Sequence, residues 1–312
     1  MSGSVLASRR PGGAHPVVLV LLAVGSVQLG GALAATLLPL VGVFGSVALR
    51  LGLAALILVA VVRPRVRGRS RSDWAVVLLF ALALTAMNLT FYGSLTRLPI
   101  GVAVTIEFLG PLALAAVLSR RARDLGAVAA ALVGVVLISE ALTTPWAELD
   151  LVGILLALAA GACWSAYIVL SRHTGARFAG LDGIALCMII GAVLTLPVGL
   201  VTAGSALWTT EALARGLGIA LLSSAIPYSL ELMALRSLSA GTFGVMLSLE
   251  PAAAALAGLL VLGQVLSWVQ VGGMALVVVA SVLVLGRPTS RGGGTPNADP
   301  GDGGHLDSAS AG

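Results

Sequence analysis

Long apolar runs, each closed by a short stretch carrying charge, glycine or proline, follow one another along almost the whole chain. They fall at 17–38, 42–62, 74–94, 99–119, 125–142, 151–170, 183–203, 214–235, 241–262 and 268–286. A helix needs about 20 apolar residues to cross a hydrocarbon layer of roughly 30 Å, whereas a barrel strand alternates over only about ten. These runs are unbroken, so the pattern predicts an all-α integral membrane protein with ten transmembrane helices. Pro39, Pro111, Pro197, Pro227 and Pro251 punctuate them, which membrane helices tolerate where neighbouring helices or a cavity satisfy the freed backbone groups.

A weak internal repeat overlies this pattern. At an offset of 140 residues, Leu95 matches Leu235, Leu98 matches Leu238, Gly101 matches Gly241 and Pro111 matches Pro251. The chain then divides into an N-terminal segment (1–16), a first five-helix unit (17–142), a second (151–286) and a tail (287–312). Five spans per unit is an odd number, so the two units must be inverted relative to each other. Secondary transporters are commonly built this way, with a site near the midplane where the repeats meet.

Composition narrows the class further. With 58% hydrophobic and only 10% charged residues among 312, the chain is no water-soluble enzyme, since soluble domains carry about 25% charge. Its 18 basic residues are all arginine, against 13 acids. Arg9, Arg10, Arg63, Arg65, Arg67, Arg69, Arg71, Arg120, Arg121, Arg123, Arg172, Arg177, Arg236, Arg287 and Arg291 all fall on one side if the N-terminus is cytoplasmic. Only Arg97 and Arg215 fall on the other, and Arg50 lies within a run. Positive residues concentrate inside, so both termini are expected in the cytoplasm. The arginines mark topology rather than a nucleic-acid partner. Trp74, Trp146, Trp208 and Trp268 sit at run ends as an interfacial belt would, while Trp164 lies within a run. The arginine pair before the first run reads as its cytoplasmic anchor, not a cleaved signal, because that run continues to about 38. Gly292, Gly293 and Gly294 with Asp299, Asp302 and Asp307 give the tail the composition of a solvated, disordered end. Cys163 and Cys187 both lie in apolar runs and read as small buried hydrophobes.

Charges deep in a bilayer are costly and are functional candidates by default. Arg50, Glu107 and Glu250 fall near mid-run, with Glu231 and Glu140 closer to run ends. An Arg50–glutamate pair that only locks helices together is as plausible a use of Arg50 as substrate binding. A second deep glutamate would then lack a cation, which suits proton exchange. Helical spacing adds polar stripes: Asn88 with Tyr92; Ser224, Tyr228 and Glu231; Thr242, Met246 and Glu250. Pro111, Pro227 and Pro251 are expected to break helices nearby and expose backbone groups. His15, His173 and His305 lie outside the runs, and no zinc-protease motif, Walker loop or serine elbow occurs. Neither an enzyme nor a resident metal or cofactor is expected.

Met87-Asn88, Phe91-Tyr92, Pro99, Gly101, Ala103-Val104, Glu107-Phe108, Gly110-Pro111-Leu112 and Ser119-Arg120-Arg121 resemble the threonine and homoserine exporters among the EamA-type drug/metabolite transporters. So do Gly161-Ala162-Cys163-Trp164, Tyr167-Ile168, Pro227-Tyr228-Ser229-Leu230-Glu231, Thr242-Phe243-Gly244 and Glu250-Pro251-Ala252. The resemblance runs from Gln28-Leu29-Gly30-Gly31 to about Gly286. Gln264 departs from it, standing where the broad family often has glutamate. The resemblance implies two inverted five-helix EamA repeats in a bacterial cytoplasmic membrane. It also implies export of small neutral amino acids driven by the proton motive force, with no cofactor.

A zwitterion needs an anionic group for its ammonium and donors for its carboxylate. Glu107 or Glu250, with Arg50, Asn88, Tyr92 and Tyr228, offer both, and Trp164 and Tyr167 offer an aromatic wall or plain interhelical packing. The expected partners are the amino acid, protons and the lipid bilayer; the residues do not set the oligomeric state. Two other readings stay open at this level: export of a different small metabolite or drug, and a membrane scaffold with no transport of its own.

Overall fold

A computed structural model describes residues 15–119, 122–138, 149–253 and 267–285. Glu140, Trp146, Arg120, Arg121, Gln264 and the tail, all singled out above, lie outside the described residues. Among the described residues all regular structure is helical: α1 (Pro16–Val62), α2 (Arg71–Leu95), α3 (Ile100–Leu118), α4 (Ala122–Ile138), α5 (Leu151–Arg177), α6 (Asp182–Ala203), α7 (Thr210–Ala220), α8 (Ile226–Leu235), α9 (Ala240–Leu247) and α10 (Trp268–Leu285). A 3-10 turn (Gly204–Trp208) joins α6 to α7. One π-helical turn (Leu221–Ala225) joins α7 directly to α8.

The first two apolar runs form the two arms of α1, bent at Gly42, whose φ of 68° and ψ of −176° only glycine adopts readily. Five stretches are long and apolar enough to cross a membrane: Thr36–Val62, Arg71–Leu95, Leu151–Arg177, Asp182–Trp208 and Thr210–Leu235. That is fewer than the ten expected. Pro16–Gly31, Val102–Leu118, Asp124–Ile138 and Trp268–Leu283 are shorter apolar helices. The ninth run is helical at 240–247 and 249–253 and then leaves the described residues. Leu56, Val117 and Val201 are 67%, 81% and 86% exposed, and so much apolar surface on every side belongs against lipid rather than water.

Polar residues set the helix starts. Ser70 and Asp73 form a reciprocal capping box on α2, each side chain bonded to the other's backbone N–H at 3.1 Å. Asp150, Thr209 and Ser239 cap α5, α7 and α9. The Gly153 N–H, donated at 2.7 Å, holds the Asp150 carboxyl below the usual carboxylate range, and Arg97 assists.

The turns after α2 and α8 have the same hydrogen bonds 140 residues apart. The Ser94 carbonyl accepts from Arg97 and Leu98, and the Ala234 carbonyl accepts from Ser237 and Leu238, at 2.9–3.0 Å. Helix neighbours also pair off. The second arm of α1 packs on α6, α3 on α9 and α4 on α10, while α2 packs along α5 as α1 packs along α7 and α8.

Polar contacts between loops gather at two ends of the bundle. At one, Arg69 pairs with Asp182 (3.0 Å), Arg177 with Asp73 (3.4 Å), and Arg236 donates to the carbonyls of Gly175, Phe178 and Gly180. At the other, Arg97 pairs with Asp150 (3.3 Å), and Arg215 joins Glu211 to the Thr36 carbonyl. Every one of these contacts joins segments that the arginine pattern assigns to the same membrane face.

Candidate functional site

Pro227 shapes the centre of the bundle. Proline has no N–H, so an α-helical register leaves the carbonyl of Ser223, four residues earlier, without its donor. The π turn just before it closes its last bond from Ile226 N–H to the Leu221 carbonyl, and that wider register strands the Leu222 carbonyl as well. Both carbonyls are recovered by side chains of α1. Ser26 donates to Leu222 O at 2.6 Å, and Arg50 Nη2 donates to Ser223 O at 2.5 Å. Gly30 lets α1 come this close: a Cβ there would lie 2.0 Å from Ser223 Oγ and 2.9 Å from its backbone nitrogen.

The remaining donors of Arg50 fan outward. Nε donates to Ser224 Oγ at 2.7 Å, Nη2 to the Tyr228 hydroxyl at 3.0 Å and Nη1 to the Tyr92 hydroxyl at 3.3 Å. Asn88 also donates to the Tyr228 hydroxyl, at 3.4 Å, and to the Leu84 carbonyl at 2.8 Å. Tyr167, fully buried between Phe80 and Tyr228, donates to Glu231 Oε2 at 2.7 Å. Trp164 packs edge-on against Phe108 with ring centroids 4.9 Å apart.

These groups surround a cavity of about 110 Å³ lined by Val27, Arg50, Met87, Asn88, Phe91, Glu107, Trp164, Ser223, Tyr228, Glu231 and Glu250. One guanidinium and three carboxyl groups thus converge on a single small volume, from α1, α3, α8 and the helical stretch after α9. Among the described residues no carboxylate lies within ion-pair distance of Arg50. The helix-locking Arg–Glu pair considered from the sequence does not form, because neutral hydroxyls and a proline-freed carbonyl take the guanidinium instead. Neither Glu107 nor Glu250 has a hydrogen-bonding partner among the described residues, so both can meet a cationic guest. No three His, Cys, Asp or Glu side chains among those residues are grouped to hold a metal ion.

The position of Glu107 depends on a contact between bare backbones. Pro111 frees the Glu107 carbonyl, which faces Gly161: a Cβ on Gly161 would lie 2.6 Å from it, and one on Gly110 would lie 2.0 Å from the Gly161 oxygen. Small residues let membrane helices approach in this way, and here they fix α3 against α5.

Sequence comparison places the chain. The EamA-like transporter family matches residues 151–286. The chain is 41% identical over 267 residues to the threonine/homoserine exporter RhtA of Salmonella typhimurium (strain LT2), which covers 86% of this chain and 90% of that protein. RhtA of Escherichia coli (strain K12) is 40% identical over the same length and coverage. The chain belongs to the RhtA family. A protein of known crystal structure superposes with a TM-score of 0.69 at 19% identity, over 85% of this chain and 96% of its own, so the two share a fold.

In this RhtA-family chain the structure brings together Arg50, Asn88, Tyr92, Glu107, Trp164, Tyr167, Tyr228, Glu231 and Glu250, though Tyr92 and Tyr167 stand behind the cavity wall. Other expectations need correction. Glu231, placed by the sequence closer to a run end than to mid-run, is 4% exposed and lines the cavity with the deeper charges. Thr242 leaves the Met246 and Glu250 stripe for the start of α9, where its hydroxyl lies 2.8 Å from Ser239 Oγ. Of the three expected helix breaks, only one is a break. The α-helical hydrogen bonding is interrupted by a turn at Ser248, ahead of Glu250 and Pro251, although Ser248 keeps right-handed helical angles. Helix α3 runs straight through Pro111, and Pro227 follows a π turn without interrupting the helix. Ser223, Ser26, Met87, Phe91 and Val27 were not anticipated as site residues. Counting back four residues from Pro227 would have found Ser223.

Proposed function

We propose that this chain is a secondary transporter that exports small neutral amino acids, threonine and homoserine foremost, in exchange for protons. The observation that carries the reading is the single small cavity with one guanidinium and three carboxyls. Arg50 offers the substrate carboxylate a fork of N–H donors, and Glu107 or Glu250 receives its ammonium. When the ammonium leaves, a proton takes its place on the same carboxyl group, so substrate and proton compete for one position. The volume, about 110 Å³, equals roughly four waters' share of liquid. It lies well below the roughly 300–1,000 Å³ of drug-sized pockets, which favours a small metabolite over a drug.

The architecture proposed with this function has ten spans in two inverted EamA repeats, 17–142 and 151–286, in the bacterial cytoplasmic membrane with both termini inside. The matching turns at an offset of 140 residues, the paired helix contacts and the same-face loop contacts support it. Alternating access around Arg50, with proline-freed backbone beside it, is the corresponding mechanism.

Proteoliposomes containing the purified protein test the reading directly. Labelled threonine or homoserine should exchange faster under an imposed pH gradient and be competed by unlabelled substrate. Glu107→Gln should insert normally and lose the gradient stimulation. Full gradient-driven flux in that variant would remove Glu107 from the proton step.

A further inference from the structure

The hydrogen bonds around the central cavity leave two polar groups there with bonding capacity to spare. Tyr228 is the first. Its hydroxyl oxygen accepts from Arg50 Nη2 at 3.0 Å and from Asn88 Nδ2 at 3.4 Å. A hydroxyl has two lone pairs and one proton, so both lone pairs are engaged and the proton is still to be donated. No acceptor among the described residues takes it.

Asn88 is the second. Its amide nitrogen donates to Tyr228 and, at 2.8 Å, to the Leu84 carbonyl one turn back. A carbonyl oxygen that close must face the N–H side of the amide, which fixes the orientation of Asn88 and leaves Oδ1 an acceptor with no donor among the described residues. Asn88 is only 2% exposed, yet this oxygen is not sealed in. The sealed and unpartnered side-chain oxygens among the described residues are the hydroxyls of Ser46, Thr85, Ser171, Thr174 and Ser281. Oδ1 therefore opens onto the cavity that Asn88 lines.

The other polar groups decide what each can take. Arg50 commits four of its five N–H groups to the protein and keeps one, on Nη1. That N–H and the Tyr228 O–H form a pair of donors suited to the two oxygens of a carboxylate. Glu107 and Glu250 attract an ammonium more strongly than a neutral amide does. Oδ1 is thus left for a neutral donor, such as a hydroxyl on the guest's side chain. Ser223 Oγ also belongs to the lining, but it is turned toward α1, where a Gly30 Cβ would lie 2.0 Å from it.

We propose that Asn88 determines specificity in this cavity: its amide oxygen accepts the side-chain hydroxyl of the exported amino acid, while Tyr228 and Arg50 hold the carboxylate. Valine, which has a methyl where threonine has the hydroxyl, leaves that oxygen desolvated and unpaired, so threonine is favoured. The inference rests on the amino-acid reading above and deepens it by naming the substrate feature that is recognised.

Competition against labelled threonine in proteoliposomes of the full-length protein tests it, with half-maximal concentrations of unlabelled threonine and valine compared. Asn88→Leu, close to asparagine in shape but without an acceptor, should shrink the preference for threonine over valine at least about fivefold. Tyr228→Phe removes the carboxylate donor instead and should weaken threonine and valine alike, keeping their ratio within about twofold. In the unmodified protein, O-methylthreonine and O-methylhomoserine keep the oxygen but lack its proton. They should compete at least about fivefold less well than threonine and homoserine, a comparison that decides the matter even where Asn88→Leu fails to insert. An unchanged preference in Asn88→Leu overturns the assignment, as does an equal loss of preference in Tyr228→Phe or full competition by the methyl ethers. Absence of threonine flux in the unmodified, well-inserted protein overturns the amino-acid reading itself and takes this assignment with it.

Discussion

Arg50 shows how much a single side chain can depend on its shape. Its four described bonds run to two tyrosine hydroxyls, a serine hydroxyl and a backbone carbonyl, an arrangement that a planar fork satisfies and a point charge does not. Arg50→Lys should keep the charge, leave buried acceptors unmet and cut kcat/KM at least about tenfold; initial-rate export assays check it, and wild-type kinetics would show that charge alone suffices. Arg50, Glu107 and Glu250 were legible in the sequence because an ionised group in an apolar run is costly and therefore conspicuous. Ser223 and Ser26 were not legible, because a single serine in a membrane helix is ordinarily interhelical glue. Their roles follow from what Pro227 withholds, a hydrogen bond that no side-chain pattern displays. The neutral surroundings of Arg50 were hidden for the same reason: they come from α2, the π turn and α8, which meet α1 only in three dimensions.

Helix boundaries and contacts carry the next level. The runs predicted where helices lie, but periodicity could not show that α7 joins α8 through a π turn. Nor could it show that α3 and α5 meet through bare glycines. Gly110→Ala should cost about 1–3 kcal/mol by overpacking and lower the melting temperature in detergent; an unchanged melting temperature would mean that the two helices part freely. The Asp150 cap on α5 gives a pH signature. Its folded-state pKa is depressed, so the cap's contribution is present above the unfolded value, about 3.9, and is lost as pH falls through the lower folded value. Hydrogen exchange at Gly153 should remain slow down to about pH 4 and accelerate below it; acceleration already near neutrality would contradict the cap.

At the scale of the molecule, the loop contacts link residues that share a predicted face. Cysteine introduced at Arg67 should therefore react with an impermeant maleimide only from the cytoplasmic side, and cysteine introduced at Trp208 only from the opposite side. The reverse pattern would invert the topology, a question the helical fold leaves open. The touch of Gly110 on Gly161 has one further mechanical consequence. Two backbones in direct contact have no interdigitated side chains to disengage, so their helices can tilt about that point much as scissor blades turn on a rivet. Because the rivet stands at the level of Glu107 and Trp164, such a tilt would widen the gap at one mouth and narrow it at the other while the binding residues hardly move.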